Sequence, residues 1–298
     1  MKRVLVTGAS GFVGRHVTGL LTGADFDVHA VSASGRHPVE NCTWHRADVL
    51  EPRQRETLVE AVKPDTLLHL AWHARPPDYW SASENTAWLT ASLDLFRLFA
   101  DNGGTRVVGA GTCAEYDWRH GYCSELTTPL LPTSLYGATK AACGCVLNSY
   151  ASQTGLSAAW GRFFFLFGPY DSPLRLVPSL VRKLAAGQSA RCTAGNHVRD
   201  FLHVADGAEA LVELLRSGVT GAVNIGSGAP LRIGDIARQI GAAMGRADLL
   251  TIDDGPAEHA FVCANIARLR DEVGWRPGCD TRSRLDDTIR WWQSEVTG

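Results

Sequence analysis

The chain has 298 residues, 45% hydrophobic and 20% charged, with 29 Lys and Arg against 31 Asp and Glu for a formal net charge of -2. That length holds one large unit or two moderate ones with an ample core. The near-neutral balance gives no electrostatic pull towards nucleic acid or an anionic membrane. Apolar runs are short and interrupted, so none reads as a membrane span. Met1-Lys2-Arg3 leads into a strand instead of a signal-peptide core, and a cytoplasmic protein is expected. Cys42, Cys113, Cys123, Cys143, Cys145, Cys192, Cys263 and Cys279 form no Cys-x-x-Cys pair and match no histidine spacing. Free thiols are therefore expected, and no metal site.

In chain order, strands are expected at residues 3–7, 27–31, 66–70, 106–110 and 157–163, alternating with helices at 12–21, 53–62, 87–101 and 134–152. This alternation is the pattern of a parallel sheet covered by helices. After Phe165 the rhythm changes. Pro169, Pro173 and Pro178 break the chain, and helices are expected at 177–186, 205–216, 233–244 and 285–294, with a short strand at 222–225. The expected fold class is α/β: a Rossmann doubly wound parallel sheet over residues 1–165, then a smaller C-terminal substrate-binding lobe over 166–298 with segments returning to the main sheet.

The first expected strand runs into Gly8, Gly11 and Gly14, spaced Gly-x-x-Gly-x-x-Gly. Gly8 lets the chain turn tightly, Gly11 lets backbone approach a pyrophosphate, and Gly14 permits close helix–strand packing. Backbone N–H groups around Ser10, Phe12 and Val13, at the helix N-terminus, suit the phosphates. A glycine triplet is also found in purely structural turns, but its place in the first βα unit favours a dinucleotide. Which dinucleotide depends on the end of the second strand, where an acid binds the adenosine ribose diol. Here Val31-Ser32-Ala33-Ser34-Gly35-Arg36 presents two hydroxyls, Ser32 and Ser34, and a cation, Arg36, with Arg15 as a second cation. That set suits a 2′-phosphate, so NADP(H) is expected ahead of NAD(H).

Tyr136 and Lys140 stand four apart in an expected helix and so share a face. A lysine there lowers the phenol pKa and reaches a nicotinamide ribose, making the tyrosine a usable acid or base. Thr112 follows the strand before that helix. In this order the features resemble the extended short-chain dehydrogenases/reductases, the NAD-dependent epimerase/dehydratase family of nucleotide-sugar enzymes. Further matches are Ala47-Asp48-Val49, His69-Leu70-Ala71, Gly168-Pro169, Arg199-Asp200-Phe201-Leu202-His203-Val204 and Gly274-Trp275-Arg276-Pro277.

The resemblance implies that Asp48 and Val49 contact the adenine, and that Leu70, Ala71, Ala110 and Phe163 border the cofactor. It implies that Thr112 binds the substrate oxygen, Tyr136 donates the proton, and Lys140 orients ribose and phenol. Arg199 would meet a substrate diphosphate with help from Arg175 and Arg191, while Val177 would cover the base. Cys113, Glu115, Phe165 and Tyr170 would border the substrate. A homodimer through the Tyr136 helix is expected on the same ground.

Departures narrow the reaction. Cys113-Ala114 replaces the acid pair of the family's dehydratases. Ala114 and Tyr170 replace the cysteine and histidine of its epimerase-reductases, and Ser32 disfavours a tightly held NAD. Phe165 stands where many members have an asparagine, and Asp253 and Asp254 lie where a second phosphate-binding arginine is usual. The leading expectation is NADPH-dependent reduction of a nucleotide-linked 4-keto-6-deoxyhexose. An NAD-dependent nucleotide-sugar epimerase, a ketoreductase for a non-nucleotide apolar ketone and a non-catalytic NADP-sensing protein stay open beside it.

Overall fold

The computed structural model describes residues 1–22, 26–256 and 258–297. In chain order its elements begin with β1 (Lys2–Thr7), α1 (Phe12–Thr22), β2 (Phe26–Val31), β3 (Thr43–His45), α2 (Pro52–Val62) and β4 (Thr66–His69). Then come α3 (Glu84–Asp101), β5 (Arg106–Thr112), β6 (Tyr122–Cys123), α4 (Leu135–Thr154), β7 (Ser157–Phe163) and β8 (Phe165–Phe167). The chain continues through α5 (Leu176–Ala185), β9 (Ala190–Cys192), β10 (Val198–His203), α6 (Val204–Arg216), β11 (Gly221–Ile225) and β12 (Pro230–Arg232). It ends with α7 (Ile233–Ala243), β13 (Leu250–Ile252), β14 (Phe261–Ala264) and α8 (Thr281–Thr297).

Seven strands form one sheet in the order β11-β7-β5-β4-β1-β2-β3, every neighbouring pair parallel. Side chains alternate between its faces. Val4, Val6, Leu68, Val108, Ala159 and Val223 pack with Val17 and Leu21 of α1 and Leu211 and Leu215 of α6. Leu5, Leu67, Val107, Ala158 and Trp160 pack on the other face with Leu58, Phe99 and Leu147 of α2, α3 and α4. A parallel sheet covered on both faces needs such continuous apolar runs, and each buried Leu or Val contributes about 1.5–3 kcal/mol over exposure. Strand order reverses at β1, so the carboxyl ends of β1 and β4 frame the crevice where doubly wound sheets bind ligands.

The five strands expected at the start all form, and β11 lies at one edge of the main sheet. β5 runs two residues further than expected, because its pairing with β7 continues from Ala110↔Gly161 to Thr112↔Phe163. Gly109 and Gly111 leave room for the Trp160 ring, which a Cβ at either would strike at 2.3 Å. The remaining chain builds a second sheet, β12-β10-β14-β6 with β8 on β10, and the pair β13-β9. Behind them α5, α7 and α8 bury Leu180, Val181, Leu184, Ile236, Ile240, Leu285 and Trp292. No described helix is long and apolar enough to cross a membrane.

Candidate active site

The start of α4 is set by Ser134, whose side chain accepts from Gly137 N at 3.1 Å as N-cap. A Cβ on Gly137 would lie 2.3 Å from the Ala114 carbonyl oxygen, so glycine is what lets α4 press on the turn after β5. That approach brings the Tyr136 side chain to Thr112. Burial pushes the Tyr136 phenol above its usual range, as does neighbouring Tyr79, while Thr112 and the Arg175 charge oppose the shift. Tyr79 and Trp80 stand edge-on to the Tyr136 ring at 5.0 and 5.7 Å.

Lys140 is buried and donates to the Ala110 carbonyl at 2.8 Å, with Nζ 3.9 Å from the centroid of the Trp72 ring. Burial lowers its pKa to about 8, against weak opposition from Cys143 and Glu115. Thr112, Tyr136 and Lys140 therefore gather at the ends of β5 and α4. Lys140 is turned towards Ala110, beside the crevice.

The glycine turn tests whether a dinucleotide fits. Gly8 adopts φ +70°, and a Cβ there would sit 2.7 Å from Ala71 N; a Cβ on Gly14 would sit 2.1 Å from the Gly8 carbonyl oxygen. The turn is thus a cradle closed to any larger residue, and Gly11 N donates back to Gly8 O at 2.9 Å. Ala71 is anchored beside it, its N–H donating to Thr7 Oγ1 at 3.3 Å and Leu70 N donating to Thr7 O at 3.2 Å. His69 lies beneath, between Thr7 Oγ1 and Ser92 Oγ at 2.8 Å each, and burial drives its pKa to about 3, so it stays neutral. The residues fit the pyrophosphate of a nicotinamide dinucleotide, with N–H groups around Ser10, Phe12 and Val13 at the start of α1.

At the adenosine end Ser10, Ser32 and Ser34 form a hydroxyl chain with links of 3.1 and 3.2 Å. Arg36 is exposed, and so is Arg46, which sequence reasoning missed although it directly precedes Ala47-Asp48-Val49; its Cδ lies 3.7 Å from where a Gly35 Cβ would be. Among the described residues neither arginine has an ion-pair partner. Asp48 Oδ1 accepts from Leu50 N at 2.9 Å and its N–H donates to Gln54, while Val49 is buried. The expectation that Arg15 joins this group is corrected. Its guanidinium lies 3.8 Å over the Tyr170 ring, because the first turn of α1 faces the connection after β8.

On the substrate side a cavity of about 260 Å³ is lined by Trp80, Ala114, Tyr116, Trp118, Thr133 and Ser134. Trp118 donates to Cys113 O at 2.7 Å, and Tyr116 donates to Asn224 Oδ1 at 2.7 Å, so their polar atoms are engaged behind the wall. Arg199 lies 5.8 Å from the Trp118 ring and 5.5 Å from that of Phe165. It donates to Val198 O and to His197 Nδ1, whose ring donates in turn from Nε2 to Pro256 O at 2.6 Å. It is 7% exposed with no carboxylate partner among the described residues, and burial lowers its pKa. Next to it Asp200 accepts from Ser227 N, Gly228 N and Ala264 N, which fixes the loop behind the arginine.

Five substrate expectations are corrected. Glu115 does not line the cavity; wholly buried, it accepts from Thr112 N, Trp160 Nε1 and Arg162 Nε at 2.8, 2.9 and 2.6 Å. Cys113 is packed with Tyr116, Cys123, Phe164 and Val262, and burial pushes its thiol well up. Arg191 is exposed and committed to Asp253 at 2.6 Å. Val177 is buried among α5 side chains, where its β-branched bulk fills the lobe core. Tyr170, at φ +67°, lies under Arg15 and meets Trp291 edge to face at 4.7 Å. Phe163 is buried beside Ile225 in the main sheet. Sequence reasoning also missed Tyr79, Trp80 and Trp118, which lie on connections where no periodicity marks them. Among the described residues no group of three or more His, Cys, Asp or Glu is placed to hold a metal.

A doubly wound sheet, a glycine cradle at its switch point and a Thr-Tyr-Lys set define an NAD(P)-dependent enzyme of the extended short-chain dehydrogenase/reductase type. Residues 4–226 match the NAD dependent epimerase/dehydratase family, and the chain belongs to it. GDP-6-deoxy-D-mannose reductase of Pseudomonas aeruginosa is 28% identical over 321 residues, covering 99% of this chain and 98% of that one. UDP-glucuronic acid decarboxylase 1 of Xenopus tropicalis is 26% identical over 324 residues, covering 99% and 73%. Among solved structures, the UDP-N-acetylglucosamine 4-epimerase of Methanobrevibacter ruminantium M1 in complex with UDP-N-acetylmuramic acid has a TM-score of 0.87 at 26% identity over 99% of both chains. RMD from Pseudomonas aeruginosa complexed with NADPH has a TM-score of 0.81 at 25% identity over 99% and 100%. Relatives that reduce, decarboxylate and epimerise stand at similar distances, so the choice of reaction falls to the site.

Proposed function

We propose that the chain reduces a nucleotide-linked 4-keto-6-deoxyhexose with NADPH, Tyr136 supplying the proton. The observation that carries this reading is the removal of Glu115 from the cavity into its bond with Arg162. With Cys113 and Ala114 beside it, the turn after Thr112 then offers no carboxylate for elimination. The bound nicotinamide supplies the hydride. Tyr136 donates its proton to the oxygen that develops negative charge, and Thr112 hydrogen-bonds that oxygen. Lys140, through its bond to Ala110, is held where it meets the ribose. Arg199 offers its unpaired charge to the diphosphate. Ser10, Ser32, Ser34, Arg36 and Arg46 favour a 2′-phosphate, which supports NADPH over NADH. The smaller lobe, residues 166–298, closes over the sugar. The exposed α4 residues Leu135, Ala138, Cys145 and Val146 suit a homodimer surface.

A second reading, a ketoreductase for an apolar ketone, is favoured by the aromatic cavity wall of Trp80, Tyr116 and Trp118. The test is NADPH consumption with GDP-, dTDP- and UDP-linked 4-keto-6-deoxyhexoses beside apolar cyclic ketones. Turnover restricted to nucleotide sugars is expected. Turnover of the ketones alone replaces this reading with the second, and NADPH binding without any turnover leaves a sensor. Redox-neutral interconversion of a nucleotide sugar on retained NAD replaces it with an epimerase.

A further inference from the structure

Tyr79, Arg175 and Asp171 form a connected set that reaches Tyr136 through Tyr79. The Tyr79 ring stands at 84° to that of Tyr136 with centroids 5.0 Å apart. Arg175, the N-cap residue of α5, has its Cζ 5.8 Å from that ring's centroid. Arg175 Nε in turn lies 3.2 Å from Asp171 Oδ1, which also accepts from Ser172 N at 2.7 Å. The Asp171 side chain is 2% exposed, and its Oδ2 is buried without a hydrogen-bond partner among the described residues. A carboxylate sealed off in this way is costly: burial raises the Asp171 pKa to about 7, and the Arg175 charge opposes that rise.

We propose that Arg175 is a positioning residue for Tyr136: braced by Asp171, it holds Tyr79 edge-on against the Tyr136 ring and sets a cation on the outer side of the phenol. This deepens the reading above and rests on Tyr136 acting as the acid. When the phenol gives up its proton, the phenolate needs positive charge nearby. Lys140 Nζ is directed at the Ala110 carbonyl and lies against Trp72. On the side of the 72–83 connection, that charge falls to Arg175, which lowers the phenol pKas of both Tyr136 and Tyr79. The other groups acting on Tyr136 are Tyr79, Thr112 and, from the turn after β5, Glu115. Tyr79 itself faces Cys113 and Asp171 as well, and burial keeps it neutral by raising its pKa to about 12.

The test uses the full chain saturated with NADP, with a trifluorinated tyrosine placed at position 136 so that its phenol titrates where the protein is stable. Fluorine NMR then follows that one resonance against pH in the otherwise unaltered chain and in Arg175→Met, Arg175→Gln and Arg175→Lys. The expected result is a midpoint raised by about one unit in the Met and Gln variants, a tenfold loss of acid strength, and a midpoint kept by Lys. With ordinary tyrosine and an accepted keto-sugar, kcat falls about 10-fold while KM and the NADPH Kd move less than about twofold. Midpoints unmoved in folded Met and Gln variants overturn the proposal, as does an NADPH Kd that weakens in step with kcat. If the starting protein reduces no keto-sugar yet the midpoint shifts, the functional reading fails and the positioning role stands.

Discussion

Arg162 Nε donates to Glu115 Oε2 at 2.6 Å, with the two side chains 7% and 0% exposed. The pair ties β7 to the turn that follows Thr112, and Arg162 also donates to the Tyr116 hydroxyl at 2.9 Å. Removing one partner strands the other charge in the interior, which costs about 3–5 kcal/mol. Glu115→Ala is therefore expected to lower Tm by about 10 °C, read by calorimetry. A variant that melts like the parent and loses only turnover would return Glu115 to the substrate pocket.

Lys140 carries a stability cost with a definite pH window. Its folded pKa of about 8 lies below the 10.5 of an unperturbed lysine, so between those values the unfolded chain binds the extra proton. Stability then rises with pH across the window, and the cost is fully present below pH 8. Lys140→Met should raise Tm at pH 7, lose that advantage as pH climbs towards 10.5, and reduce kcat/KM at least about 100-fold. Equal Tm differences at both ends of the window would contradict the assignment.

The adenosine end provides a binding test. Ser32→Asp places a carboxylate where the hydroxyl chain now runs, and should weaken NADPH about 10–100-fold while strengthening NADH. Arg46→Ala should weaken NADPH by about 10-fold and leave NADH unchanged. Titration of the reduced cofactors by fluorescence reads both, and an Arg46→Ala variant with unaltered NADPH affinity removes Arg46 from the site.

Arg199 should separate binding from folding. It is a buried cation without an acidic partner among the described residues, and burial already lowers its pKa. Arg199→Met is expected to keep or raise Tm, since an uncompensated buried charge is removed. It should also raise KM for a nucleotide sugar about 100-fold with NADPH affinity preserved. A KM within about threefold of the parent would show that the diphosphate binds elsewhere.

The main sheet was legible because parallel strands buried on both faces need unbroken apolar runs, and 157–163 appears in the structure with the bounds the sequence suggested. The Tyr136–Lys140 spacing was legible because four residues in a helix share a face. Arg15 misled, since its place near the glycine turn says nothing about which way α1 points it. Glu115 misled for a related reason. A carboxylate three residues after Thr112 reads as pocket-facing until the buried arginine of a strand 47 residues later is brought against it.

By itself the sequence determined the class of fold, the glycine cradle and the Thr-Tyr-Lys set, because each rests on local spacing that backbone geometry converts directly into position. Only the tertiary structure decided the rest. It turned Arg15 to Tyr170, locked Glu115 on Arg162, left Arg199 without a counter-charge among the described residues, and set Tyr79 against Tyr136. Those outcomes depend on which side chains meet across elements far apart in the chain, and on how deeply each meeting is buried, neither of which any local pattern encodes.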